Sequence, residues 1–107
     1  MASNPAYDTK GIWRKDKDHH IHPWVDFSTF KDEGSMIMSN SDGAYVFDSE
    51  GNKYIDGIGG LWCVNIGYGN EEMEEAIAAQ LKEIPYYLNF GPHTTPPAAE
   101  LAAKLAT

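Results

Sequence analysis

At 107 residues, with 42% hydrophobic and 22% charged, the chain has the size and composition of at most one small soluble domain. Its net charge of −8, from 16 acids against 8 bases, argues against a nucleic-acid partner, because phosphate binding needs a patch of Lys and Arg. No apolar run approaches the roughly 20 residues of a membrane span, the N-terminus lacks the apolar core of a secretory signal, and the single cysteine, Cys63, closes no internal disulfide, so a reducing, cytoplasmic setting is expected.

Residues 1–14 are expected to form a flexible tail. The charged run Arg14-Lys15-Asp16-Lys17-Asp18 then leads into His19-His20-Ile21-His22-Pro23-Trp24. Pro23 forbids a helix through it and biases His22 to an extended conformation. The histidines invite a metal reading, but two imidazoles on one side of an extended chain, with no further ligand cluster nearby in sequence, favour a polar loop. No metal is expected.

A β-like block follows. Residues 35–38 are short and apolar, and Asn40-Ser41-Asp42-Gly43 is a turn signal. Residues 44–48 have the aromatic and β-branched content of a strand. Residues 49–52 read as a hairpin loop with Gly51 free to take positive φ, and Lys53-Tyr54-Ile55-Asp56 returns as the partner. The sum is a three-stranded antiparallel meander. After it, residues 56–69 hold five glycines interleaved with aromatic and apolar side chains, which is no solvated linker. Glycine there lets the backbone turn sharply or approach something closely.

A helix is expected from Asn70, a good N-cap, with Glu71, Glu72, Glu74 and Glu75 favoured by the helix dipole. Met73, Ile77, Leu81 and Ile84 recur at helical spacing, and Pro85 marks the stop. A second helix is expected after Thr95, with Pro96 and Pro97 in its first turn. Its pattern runs to Thr107 without a C-cap, which is read as a truncated chain. The apolar stripe of the first helix needs more surface than a three-stranded meander offers, so further chain is expected to cover it.

Three ordered motifs carry a family resemblance. The run from Asp48 to Gly57 (DSEGNKYIDG), the run from Gly59 to Gly69 (GGLWCVNIGYG) and the upstream HHIHPW resemble class III (omega) aminotransferases, in their omega-amino acid:pyruvate branch. The resemblance covers roughly residues 15–107. It implies an α/β, fold-type I architecture, of which residues 15–107 would be the small-domain part and the start of the large domain. It also implies a homodimer and pyridoxal 5'-phosphate held through a lysine. The reaction implied is transfer of an amino group from an amine or omega-amino acid donor to a 2-oxo acid acceptor such as pyruvate. In that family the lysine, the aspartate facing the pyridine nitrogen and the phosphate loop lie further along the chain, so no catalytic residue is assigned here. Same-fold alternatives are an aminomutase or a decarboxylase. The alternative from another class is a standalone binding domain.

By the same resemblance, Leu61 and Trp62 line the wall over the substrate side chain, Trp24 helps close the entrance, and Tyr87 with Phe90 is delivered to the neighbouring subunit's site. Gly91 stands where relatives often carry a second aromatic. A plainer reading accompanies each residue: Trp62 as a core tryptophan, Trp24 likewise, Tyr87 and Phe90 as an interface patch, and Cys63 as a small buried hydrophobe rather than a nucleophile.

Overall fold

The computed structural model describes residues 7–106. They form two compact units, divided between Asn70 and Glu71.

The first unit opens with α1 (Thr9–His19). Asp8 caps it by accepting a hydrogen bond from the Gly11 N–H at 2.9 Å, and Lys17 and His19 sit in the last turn, where the dipole favours cations. The helix therefore starts inside the segment expected to be a flexible tail, which corrects that expectation for residues 9–14. Residues 1–6 lie outside the described residues. The helix has Ile12 and Trp13 as its only large apolar residues, and these are adjacent and form no repeating helical stripe. What holds it is tertiary: the Thr9 hydroxyl meets the Ser49 hydroxyl at 2.7 Å, and the Trp13 indole lies against Gly34. A Cβ at Gly34 would fall 1.6 Å from the indole nitrogen, and Gly34 also has φ +73°, so this position requires glycine on both counts. A single turn, α2 (Phe30–Glu33), precedes it.

The meander is present, with β1 (Met38–Asp42), β2 (Tyr45–Asp48) and β3 (Lys53–Ile55) antiparallel in that order. Its first strand differs from expectation. The turn-prone Asn40, Ser41 and Asp42 are paired with Phe47, Val46 and Tyr45, and the corner is the two-residue Gly43–Ala44 loop with Gly43 at φ 57°. Pairing with an aromatic, β-branched partner strand outweighs the local turn preference of Asn and Asp. The register shifts between Met38 and Asn40, and at that irregularity the Ser39 hydroxyl donates to the Asp48 carbonyl at 2.9 Å.

The β2–β3 hairpin is built on one side chain. Asp48, 8% exposed, accepts from the Glu50 and Asn52 N–H groups, both at 2.9 Å, from the Asn52 amide at 2.8 Å and from the Tyr54 hydroxyl at 2.9 Å. These donors, the Asn52 side chain foremost, hold the Asp48 carboxyl down at about 2.

After the short α3 (Gly59–Trp62) of the first unit, the second unit has α4 (Glu71–Glu83), starting directly after Asn70 and stopping before Pro85, and α5 (Pro96–Leu105), entered through Thr95 with the two prolines first. Both match their sequence signals. Met73, Ile77 and Leu81 are about half exposed, and no hydrophobic side chain among the described residues is buried.

An acid titration follows from Asp48. Its folded pKa is below the ordinary 3.8, so its contribution is complete above that value and is lost as the pH falls towards about 2. Asp48→Asn is expected to lower the melting temperature at neutral pH, and the gap to wild type should close on acidification over that window. Melting curves of both proteins against pH check this.

Candidate functional site

The glycine-rich run folds into an uncommon object. Gly59, Gly60, Leu61 and Trp62 all have positive φ, at 59°, 58°, 64° and 69°. The N–H groups of Trp62 and Cys63 donate to the carbonyls of Ile58 and Gly59, both at 2.9 Å. Residues 59–62, labelled α3, thus make one turn of left-handed helix. For an L-residue that conformation costs about 1–2 kcal/mol, and only glycine adopts it freely. Two glycines open the turn at little cost. Leu61 and Trp62 bear the penalty, and strain of this kind persists only where the surroundings hold it.

Asp56 supplies the hold. Its Oδ1 accepts from the N–H groups of Ile58 at 3.2 Å and Gly59 at 2.9 Å, and its Oδ2 from the Gly60 N–H at 2.8 Å and the Tyr68 hydroxyl at 2.7 Å. Consecutive N–H groups that converge on an anion form a nest, and here the anion is a side chain of the same loop. The Tyr68 hydrogen bond, with help from the backbone donors, holds the Asp56 carboxyl below its ordinary range, and the same bond raises the Tyr68 hydroxyl. Tyr68 is fixed in turn: its N–H donates to the Gly43 carbonyl at 2.8 Å and its carbonyl accepts from the Gly43 N–H at 3.1 Å. The turn is thereby tied to the β1–β2 corner. An open concavity of about 370 Å³ lies there, lined by Gly43, Ala44, Asp56, Gly59 and residues 64–68.

Leu61 and Trp62 are neighbours in the left-handed turn, and Trp62 is 81% exposed, so within this chain it is not a core side chain. Trp24 is in the same unit but not in that turn. It is fully exposed and has φ 62°. Tyr87 and Phe90 belong to the second unit, where the Tyr87 ring meets His93 edge-on at 5.8 Å and His93 Nδ1 lies 3.3 Å from the Phe90 carbonyl. Both are exposed, Phe90 strongly so. Cys63 is exposed in this chain, and its thiol donates to the Gly60 carbonyl at 2.7 Å.

The histidine motif acquires a partner that spacing did not reveal. Asp16 is hydrogen-bonded to His20 Nδ1 at 3.0 Å, to His22 Nε2 at 2.8 Å and to the Ser35 hydroxyl at 2.6 Å. Ser35 first, and then the two rings, hold its carboxyl at about 2. The three possible ligand atoms of Asp16, His20 and His22 lie within 4.8 Å of one another and are committed to each other. The arrangement ties the end of α1 to the HHIHPW segment and to Ser35.

Sequence reasoning passes over Asp56 and Tyr68. Asp56 reads as a strand end and Tyr68 as one aromatic among several. The available signal is an aspartate with glycines three and four positions on, where side-chain capping of free N–H groups is possible, but nothing in the spacing announces a left-handed turn.

The aminotransferase class-III family model matches residues 28–107, and the chain belongs to that family. It is similar to the putrescine–pyruvate aminotransferase of Pseudomonas aeruginosa, 43% identical over 90 residues, covering 84% of this chain and 20% of the relative. Among solved structures, an (S)-enantioselective omega-transaminase from Thermomicrobium roseum superposes with a TM-score of 0.91 at 36% identity, over 95% of this chain and 23% of that one. An omega transaminase from Pseudomonas jessenii in complex with PMP superposes at 0.84 and 31%, over 88% and 21%. The chain spans about a fifth of the length of the first curated relatives it matches. These likenesses bear out the fold-type I reading and the family resemblance.

Class III membership implies pyridoxal phosphate. The described residues do not by themselves fit that group. Lys53 lies with its ammonium 3.6 Å over the Tyr45 ring and Lys17 with its ammonium 4.8 Å over the Trp13 ring, and no lysine lines the concavities beside Tyr68 or beside Phe30.

The two glycines that open the turn differ in a testable way. A Cβ at Gly59 meets open space, whereas one at Gly60 would lie 2.6 Å from Val64 Cγ2 and 3.3 Å from the Tyr68 hydroxyl. Both positions have positive φ, so both alanine variants are strained, by more than about 1 kcal/mol each. Gly60→Ala should lower the melting temperature of a full-length enzyme bearing this segment clearly more than Gly59→Ala, as thermal unfolding of the two variants checks.

Proposed function

We propose that this segment builds the substrate-side wall of a pyridoxal-phosphate-dependent amine transaminase, which moves an amino group from an amine or omega-amino acid to a 2-oxo acid such as pyruvate. The observation that carries the reading is the left-handed turn. The backbone is held in a costly conformation at Leu61 and Trp62, and the turn places these two large apolar side chains side by side and exposed. A pocket for small amines is concave and mostly apolar with few polar groups, and a leucine beside a tryptophan suits that task. The similarity to a putrescine–pyruvate aminotransferase and to omega-transaminases supports amine donors and a pyruvate acceptor.

In this reading pyridoxal phosphate would supply the amino-group-carrying chemistry, and the lysine and phosphate site that would hold it come from other parts of the enzyme. The residues of this segment orient the donor. Leu61 and Trp62 limit its bulk, and Trp24 closes the entrance and excludes water. Tyr87 and Phe90 serve the neighbouring site of a homodimer, which their exposure permits. Residues 15–107 form the small-domain part and the start of the large domain. A cytoplasmic enzyme is the setting proposed; no helix among the described residues is long and apolar enough to cross a membrane.

Trp62→Ala in the full-length enzyme tests the wall. Removing the indole enlarges the pocket, so the rate ratio of a bulky to a small amine should rise. Activity with the small donor should fall, because a loosely held substrate loses its near-attack geometry, a loss that reaches about 100-fold for a displacement of roughly 1 Å. The melting temperature should drop far less than for truncation of a core tryptophan, which costs about 3–5 kcal/mol. An unchanged ratio with a large loss of stability would make Trp62 a core residue.

A further inference from the structure

We infer that Asp56 and Tyr68 are positioning residues that set the size preference of the amine pocket by fixing the direction of the Leu61–Trp62 wall, although neither forms that wall itself. The inference rests on the reading of Trp62 given above. Its grounds are geometric. Of the four hydrogen bonds that Asp56 accepts, the fourth comes from the Tyr68 hydroxyl, and the three from the N–H groups of Ile58, Gly59 and Gly60 fall on the entry to the turn. They stop at Gly60, so Leu61 and Trp62 inherit their direction from the residues before them. Local preference does not choose that direction, since both residues sit at positive φ. The exit is held separately, by the Cys63 and Val64 N–H groups donating to the Gly59 carbonyl at 2.9 and 3.0 Å.

Tyr68 gives the arrangement its external reference. Through its paired hydrogen bonds with Gly43 it belongs to the sheet corner, and through its hydroxyl it fixes Asp56. A Cβ on Gly67 would lie 3.0 Å from the Gly43 carbonyl oxygen, so the approach of the two backbones leaves little slack. The chain of constraint runs from the β1–β2 corner to Tyr68, to Asp56, to the turn, and ends at the indole. A shift at the start of a turn is carried to the side chains at its end, so loss of the Tyr68 hydroxyl should move Trp62 without removing it.

The test uses the full-length enzyme and the variants Tyr68→Phe, Trp62→Ala and their combination. Asp56→Asn is a fourth variant, but it replaces an acceptor by an amide facing N–H donors and can fail to fold, so Tyr68→Phe carries the test. Two quantities are read: the ratio of kcat/KM for a bulky aryl amine to that for a small alkyl amine, and the dissociation constant of a bulky aryl alcohol that lacks the amine and cannot react. For Tyr68→Phe the ratio should change by roughly three- to tenfold, the scale set by sub-ångström misplacement, with a change in alcohol affinity in the same sense. In the Trp62→Ala background Tyr68→Phe should add little, since residues acting through one another are non-additive. If Tyr68→Phe lowers the melting temperature and both activities together while ratio and alcohol affinity stay fixed, Tyr68 is merely structural and the inference is overturned. An equal effect with and without Trp62 overturns it too. If Trp62→Ala itself leaves the ratio unchanged, the wall reading fails and this inference fails with it. A shift for Trp62→Ala but none for Tyr68→Phe removes the inference alone.

Discussion

The carboxylate of Asp56 inside its ring of donors is the interaction on which the candidate site depends. Without it the N–H groups of Ile58 and Gly60 would look to water, that of Gly59 would keep only the Asp56 carbonyl at 3.3 Å, and the turn would rest on the backbone bonds from Trp62, Cys63 and Val64. With it, a segment of glycines that would otherwise be loose becomes a defined turn, displaying two large apolar side chains. The negative charge matters as much as the shape. A charged acceptor makes stronger hydrogen bonds than a neutral one, and the Tyr68 hydroxyl and the backbone donors favour the ionised form of Asp56 by holding its carboxyl below the ordinary range.

The same device recurs twice in the first unit. Asp48 organises the β2–β3 hairpin and Asp16 organises the histidine segment. Met73, Ile77, Leu81, Ile55 and Ile58 are exposed in a chain that spans about a fifth of the length of the curated relatives it matches.

Elements with a local cause were legible in the sequence. The helix after Asn70, the proline-led helix after Thr95 and the hairpin around Gly51 all follow from caps, prolines and periodicity. Elements with a distant cause were not. Helix α1 depends on Thr9 meeting Ser49 and on Trp13 meeting Gly34, partners far away in the chain. Strand β1 overrides the turn preference of Asn40, Ser41 and Asp42 because Tyr45, Val46 and Phe47 lie opposite. The site was half legible. Glycine density marked the loop, and the resemblance marked Leu61 and Trp62, but the handedness of the turn and the role of Asp56 depend on Tyr68, whose position is set by pairing with Gly43. Asp16 escaped the histidine motif for a similar reason: it lies one helical turn before His20, on the helix, whereas His22 returns to it from the extended segment beyond.

The central claim is that the turn holds Trp62 towards the substrate. A crystal structure of a full-length enzyme bearing this segment, with a non-reacting amine analogue bound, tests it most directly. The account predicts positive φ at Leu61 and Trp62, the Asp56 carboxylate within hydrogen-bonding distance of the Gly59 and Gly60 N–H groups and the Tyr68 hydroxyl, and the Trp62 indole in contact with the analogue. A right-handed or extended backbone at these residues, or an indole packed into protein away from the analogue, would contradict it.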